Sequence, residues 1–207
     1  ITCRDWSSDV CSSDLEPNAT VEIAIPQMGL AGTRSAQVKI WSSKPAYIGR
    51  HLSWLIAYPY GCIEQTVSTV FPQLYLKDIL SAAPDVKDKM WLERTIDDRI
   101  NAGIHRLSRF MLPEGSFSYW PGERSSASMW SNLYAGHFLV EARRLGYPVP
   151  SMLDTWLTHE TGLNPTVGDS WRINVYRQYI LALAGQPNLS ALNLIRENHW
   201  KELSNQD

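Results

Sequence analysis

The feature that most constrains this chain is a helical period in its apolar residues, which recurs from segment to segment between Pro and Gly punctuation. In the clearest stretch, about Val86 to Met111, Ile96, Ile100, Ile104, Leu107 and Met111 step by four, four, three and four. That spacing keeps one face of a 3.6-residue helix apolar and turns it toward a core. Pro45 suits the first turn of a helix over about Ala46 to Ala57. A second helix starts near Cys62 and runs toward Leu80. Pro72 either kinks or splits it, because proline lacks an amide hydrogen and collides with the preceding turn. Trp130 to Leu145 reads as another, with Tyr134, Phe138, Ala142 and Leu145 on one stripe and Gly146 as its stop. Further helices are expected near Ser151 to His159, Ser170 to Ala184 and Leu189 to Trp200. Six or seven helices joined by short Pro/Gly loops stack as pairs, in a solenoid or closed as an α/α toroid. The fold class expected is mainly α.

The residues before Pro45 have a different texture. Val21, Ile23 and Ile25 alternate with Thr20, Glu22 and Ala24, the period of a half-buried strand, and Ala36, Val38 and Ile40 alternate again after a loop marked by Pro26, Gly29 and Gly32. Two strands alone make a marginal hairpin. Residues 16–44 therefore read as part of an adjoining β domain, and 45–207 as the N-terminal part of a helical domain. Residues 1–15 carry two Ser-Ser-Asp repeats, Ser7-Ser8-Asp9 and Ser12-Ser13-Asp14, and no period. They resemble translated sequencing-adapter DNA. The alternative is a flexible, disordered tail with a Cys3–Cys11 pair. On either reading the segment contributes nothing to the fold. The chain stops at KELSNQD without an evident capping element, so a truncated fragment is expected.

Composition narrows the function classes. A formal charge of −2, from 19 basic and 21 acidic residues, gives no excess that would draw nucleic acid or an anionic membrane. With 44% hydrophobic residues, wholesale disorder is excluded. No apolar run approaches the ~18 residues of a membrane span. The opening residues lack a secretory signal pattern, which fits either a cytoplasmic protein or a chain that has lost its true beginning. There is no HExxH and no paired Cys/His spacing, so no metal or cofactor is expected. Asp97-Asp98 reads as a solvated acidic face, Arg106, Arg109, Arg143 and Arg144 as helix surface, and His105 and His137 as structural histidines.

With the first segment set aside, one cysteine remains, Cys62, whose use is packing or chemistry. It stands in YPYGCIEQTVS, Tyr58 to Ser68, three residues before Gln65. Residues at i and i+3 of a helical turn have Cβ atoms roughly 5–6 Å apart. A thiol there can reach the Gln65 carboxamide carbon and displace ammonia, leaving an internal Cys–Gln thioester. Gly61 relieves crowding beside the nucleophile and permits a tight bend. A thioester is a stored acyl donor whose site must exclude water until it is triggered. Tyr58, Tyr60, Phe117, Tyr119 and Trp120 are large enough to form such a cover. The spacing alone is weak, since Cys-x-x-Gln arises by chance and a lone cysteine is more often an inert small hydrophobe.

YPYGCIEQTVSTVFPQLYL resembles the thioester region of the α2-macroglobulin and complement-component superfamily, most of all its bacterial members. The broad Gly-Cys-Gly-Glu-Gln pattern stands here as Gly61-Cys62-Ile63-Glu64-Gln65, departing only at Ile63. The block Gly115 to Pro150 and the approach PAYIGRHLSWLIA are similar to the same domain, and the resemblance covers about Val21 to Ala184. It implies an α/α toroid, here incomplete, after two strands of a β domain. It implies Cys62 as the thioester thiol and Gln65 as the acyl donor, with Gly61 and Glu64 supporting the motif. Some relatives pass the acyl group to a downstream histidine, expected here near 172–178, where Arg172, Asn174, Tyr176 and Arg177 stand instead. That favours direct attack by a lysine amine.

The function implied is a broad-spectrum endopeptidase inhibitor, not an enzyme: a proteinase cuts a bait segment and is bound covalently through its lysines. The resemblance also implies a periplasmic, inner-membrane lipoprotein with its anchor outside these residues, and partners among cell-wall synthesis proteins. Two alternatives stand beside it. One is a macroglobulin-like interaction scaffold in which no thioester forms. The other is an α/α-toroid enzyme acting on isoprenoids or glycans, which would need an acidic pair directed into its cavity.

Overall fold

The computed structural model describes residues 55–82, 88–163, 171–199 and 201, all in the second of two units into which the chain divides, Ala46–Asp207. The segment 1–15, the strands expected at 20–25 and 36–40, and most of the helix expected over 46–57 lie outside the described residues. Ile56 and Ala57, where that last helix was to end, have irregular backbone. Seven helices follow among the described residues: α1 Ile63–Val70, α2 Gln73–Ala82, α3 Lys89–Leu107, α4 Met129–Arg144, α5 Met152–Gly162, α6 Trp171–Leu183 and α7 Leu189–His199.

Pro72 splits the second expected helix rather than kinking it. Phe71 closes α1, its N–H on the Val67 carbonyl at 2.8 Å, and α2 restarts at Gln73. The buried Gln73 amide donates to the carbonyls of Thr69 and Ala57, pinning the approach segment to the break. On α3 the predicted stripe is buried at Ile96, Ile100, Ile104 and Leu107. Met111 is not on it. Arg109 and Phe110 donate to Arg106 and Leu107, three residues back, and these tight bonds end the helix at Ser108. Phe110 then enters the core, and Met111 pairs with Phe117 in an isolated antiparallel bridge.

The stop of α4 at Gly146 is a Schellman motif. Gly146, at φ +87°, donates to Arg143, and Tyr147 donates to Ala142 at 3.0 Å. Leu145, expected on the apolar stripe, is the cap residue and is exposed, because the backbone has already left helical geometry there.

Side-chain pairings give the direction of each helix. Ser131 near the start of α4 meets Glu64 near the start of α1, and Phe138 meets Phe71 at its end, so these two run parallel. Trp130 and His137 of α4 pack on Tyr176 and Tyr179 of α6, which is also parallel. In contrast, α3 runs antiparallel to α1 and α2: Arg106 meets Thr66, Gly103 meets Val70, and Asp97 meets Lys77. α5 is antiparallel to α4, with Asn132 on Glu160 and Arg143 on Asp154. An inner layer of α1, α4 and α6 thus alternates with outer helices α3, α5 and α7, the arrangement of an α/α toroid.

Two glycines set the spacing of the layers. A Cβ at Gly103 would lie 2.9 Å from both Val70 methyls, and one at Gly136 would lie 2.1 Å from the Trp156 indole. Asp97 keeps solvent exposure, as a solvated face requires, but it is also partnered. It pairs with Lys77 and accepts from the Tyr147 hydroxyl at 2.8 Å, tying α2 and α3 to the chain after α4, while Asp98 is exposed.

Candidate functional site

The turn entering α1 brings together the residues that the sequence singled out. Gly61 has φ +88°, a conformation that favours glycine, and an added Cβ would lie 2.0 Å from Gln65 Oε1. The space beside Gly61 is therefore filled by the Gln65 carboxamide. Cys62, extended at φ −69° and ψ 175°, is the N-cap of α1. Its backbone N–H donates to Gln65 Oε1 at 3.1 Å, the reach-back of a capping box. The free Cys62 side chain is buried, at 4% exposure, whereas Gln65 is exposed. A thiol and a carboxamide carbon thus sit at one helix start, with the amide oxygen anchored on the thiol's own peptide.

The aromatic loop after α3 completes this turn. The Tyr119 carbonyl accepts from Ile63 N–H at 3.1 Å, satisfying one of the orphan donors of α1. Its phenol lies beside the Cys62 thiol, and that proximity, followed by the negative charge of Glu64, raises the phenol's pKa. Ser118 stiffens the loop, its single hydroxyl proton lying between the carbonyls of Trp120 at 2.8 Å and Phe110 at 3.0 Å. Trp120 packs edge-on against Tyr119, 5.9 Å between centroids. Tyr58 and Tyr60 pack on each other at 4.4 Å, and Arg99 lies over Tyr58. Tyr60 is the most exposed of these rings, at 68%. Phe117 is fully buried, its N–H on Asn132 Oδ1 at 3.0 Å, so it belongs to the core and not to a cover.

Two braces hold the turn from behind. Glu64 accepts from the Ser131 hydroxyl, and Ser131 is held by the α4 N-cap, Ser128. The carboxylate therefore ties the starts of two inner helices together, and it lies in the first turn, where a negative charge suits the helix dipole. Arg106, which reads as surface in the sequence, reaches inward instead. Its Nη2 donates to the Gly61 carbonyl at 2.6 Å, its Nε donates to Thr66 Oγ1 at 3.1 Å, and it lies over the Phe110 ring. One signal for this was available: Arg106 stands three residues after Gly103, on the face where a glycine admits a neighbouring helix. Arg109, Arg143 and Arg144 are surface residues as expected.

The stretch 172–178 lies on α6 and divides between two environments. Arg177 and Asn174 are buried in a polar network: Arg177 Nε donates to Glu160 at 2.9 Å, and Glu160 accepts from Asn132 at 2.7 Å. Arg172 and Tyr176 line a cleft of about 910 Å³ with Phe71, Tyr75, Trp130 and Tyr134. His137 faces this cleft, its Nδ1 2.9 Å from the Tyr176 hydroxyl, and burial lowers its pKa. His105 is exposed on α3. Among the described residues no three His, Cys, Asp or Glu side chains converge to hold a metal ion.

The family model of the A-macroglobulin TED domain matches residues 35–159. Alpha-2-macroglobulin of Escherichia coli (strain K12) is 34% identical over 141 residues, 66% of this chain and 8% of that protein. That of Xylella fastidiosa (strain Temecula1) is 27% identical over 115 residues, 56% of this chain and 7% of that protein. Among solved structures, Salmonella alpha-2-macroglobulin reacted with methylamine aligns at TM-score 0.58 and 27% identity, over 76% of this chain and 11% of that one. Trypsin-activated alpha-2-macroglobulin from E. coli aligns at 0.54 and 29%, over 68% and 10%. The E. coli protein activated by porcine elastase aligns at 0.53 and 25%, over 68% and 14%. The chain therefore spans a small part of the length of these relatives. A TED-domain match over more than half of its residues, set on a helix-paired fold shared with these structures, makes this chain a member of the bacterial α2-macroglobulin family.

Proposed function

We propose that Cys62 and Gln65 form an internal thioester, and that the protein of which this chain is a part uses it to bind proteinases covalently. The observation that carries the reading is the bond from Cys62 N–H to Gln65 Oε1, beside a glycine with no Cβ to keep the carboxamide away. In forming the thioester, Cys62 Sγ attacks Gln65 Cδ, the carbon–nitrogen bond breaks, and nitrogen leaves as ammonia with the thiol proton. In capture, a lysine amine attacks the same carbon. An amide forms, and sulfur departs as the thiol, taking the amine's proton.

The reading is supported by the relatives solved after reaction with methylamine, a small amine, and after activation by trypsin and by elastase. The buried thiol and exposed Gln65 divide the protection of the site. On this reading Tyr119, beside the sulfur, covers that side, and the exposed Gln65 carboxamide requires a further cover to hold off water. By the same likeness the protein is an inhibitor of endopeptidases rather than an enzyme, periplasmic and lipid-anchored at the inner membrane, with cell-wall synthesis proteins nearby.

The test is incubation of the whole protein with trypsin, followed by mass spectrometry of cross-linked peptides. The expected product is an amide between Gln65 and a trypsin lysine, abolished by prior methylamine and by Cys62→Ala. Trypsin held without that bond, and no sensitivity to methylamine, would refute the covalent mechanism.

A further inference from the structure

Arg106 and Gln65 are joined through a single peptide group. The Arg106 guanidinium donates to the Gly61 carbonyl at 2.6 Å, and the N–H on the other side of that peptide, that of Cys62, donates to Gln65 Oε1 at 3.1 Å. A cation on a peptide oxygen draws electron density from the nitrogen and makes its N–H a stronger donor, because hydrogen bonds in series polarise one another. The acceptor at the far end is the carbonyl oxygen of the carbon that reacts.

We infer that the Cys62 backbone N–H is the oxyanion donor for the Gln65 acyl carbon, and that Arg106 is the positioning residue that polarises it through the Gly61–Cys62 peptide. This inference rests on the thioester reading above. When the Cys62 thiol attacks Gln65 Cδ, the carbonyl electron pair moves onto Oε1, and this oxygen already lies on the Cys62 N–H. Collapse expels ammonia and returns the pair. When an amine later opens the thioester, the same oxygen carries the negative charge and the thiol leaves. One donor therefore serves both steps, and preorganised donors of this kind matter because charge develops on the oxygen only in the transition state.

The surroundings keep the guanidinium in place. Thr66 Oγ1 accepts from Nε at 3.1 Å, on a fully buried residue, and the Phe110 ring lies under the guanidinium, 5.6 Å from centroid to carbon. Two donors from one planar fork reach two fixed acceptors, so the charge is directed at Gly61 and not left to wander.

The test is made on the whole protein with Arg106→Lys and Arg106→Gln, two long side chains that both keep an N–H donor. Lysine keeps the charge and glutamine removes it. The rate of methylamine incorporation at Gln65 is measured by intact mass, beside the unfolding midpoint and the thioester content of freshly purified protein. The expected result is faster opening for Arg106→Lys than for Arg106→Gln, with Arg106→Gln ~10-fold or more slower than the parent, a part of the ~100-fold attached to a whole oxyanion donor. Incomplete thioester in folded Arg106→Gln also supports the inference, since formation passes through the same oxyanion. Equal rates for the two variants would overturn it, even with a lowered unfolding midpoint, because a bracing role alone moves stability and not the rate. A parent without any thioester overturns the functional reading and this inference together. A parent with one, alongside a fast-opening Arg106→Gln, overturns only the inference.

Discussion

Gly136→Ala separates packing from helix propensity, because the two act in opposite directions at this site. Gly136 lies inside α4, where alanine is favoured over glycine by about 1 kcal/mol. The added methyl, however, would lie 2.1 to 2.4 Å from three atoms of the Trp156 indole, which is fully buried and cannot swing into solvent. Overpacking of this sort costs about 1–3 kcal/mol. Moving the indole also stretches its Nε1 bond to Asn132 Oδ1, now 3.2 Å, worth roughly a further 1 kcal/mol. The net expectation is a loss of about 1–3 kcal/mol in denaturant unfolding followed by circular dichroism, with an unchanged slope. Gly162→Ala, at the end of α5 with nothing within 4 Å of the new Cβ, serves as the control. It should gain about 0.5–1 kcal/mol. Opposite signs for the two variants are required. A Gly136→Ala protein as stable as its parent would refute the close approach of α4 and α5.

Three further perturbations address the rest of the structure. Arg177→Met leaves the buried Glu160 carboxylate with Asn132 and His159 but without the guanidinium, and should cost about 3–5 kcal/mol by the same unfolding assay. His137 has its pKa lowered from 6.5 by burial, so below that value the unfolded chain binds a proton that the folded one refuses. Its contribution to stability therefore falls on acidification from pH 6.5 toward the folded pKa, and His137→Gln should flatten the stability–pH curve in that window. Gly61→Ala forces a side chain into a left-handed backbone conformation, at about 1–2 kcal/mol, and displaces the Gln65 carboxamide, so a thiol label should react with Cys62 in the purified protein.

How far the sequence reveals this molecule depends on the range of each interaction. The helices were legible because the stripe Ile96, Ile100, Ile104 and Leu107 is a local pattern, and all four residues are buried. The break at Pro72 and the stop at Gly146 are equally local, since ring sterics and a positive φ act within one turn. The same period extended too far at Met111 and Leu145, where tight terminal bonds and a cap take the backbone out of the helix while the apolar spacing continues.

At the motif, the spacing of Cys62 and Gln65 put the two residues on one turn, and the structure adds the hydrogen bond between them. Arg106 was hidden because its partners, Gly61 and Thr66, lie forty or more residues away, and an arginine on a polar-looking helix position carries no sign of what it reaches. The buried Asn132–Glu160–Arg177 network was hidden for the same reason. No local pattern marks these residues, and the bonds that link Asn132, Glu160 and Arg177 run between helices.

The most direct measurement is the intact mass of the whole protein before and after methylamine, with thiol labelling of Cys62 in the same samples. The account predicts a native mass short by one ammonia and an unlabelled Cys62, then gain of one methylamine at Gln65 and release of one labelled thiol. A full native mass with Cys62 labelled from the start would contradict it.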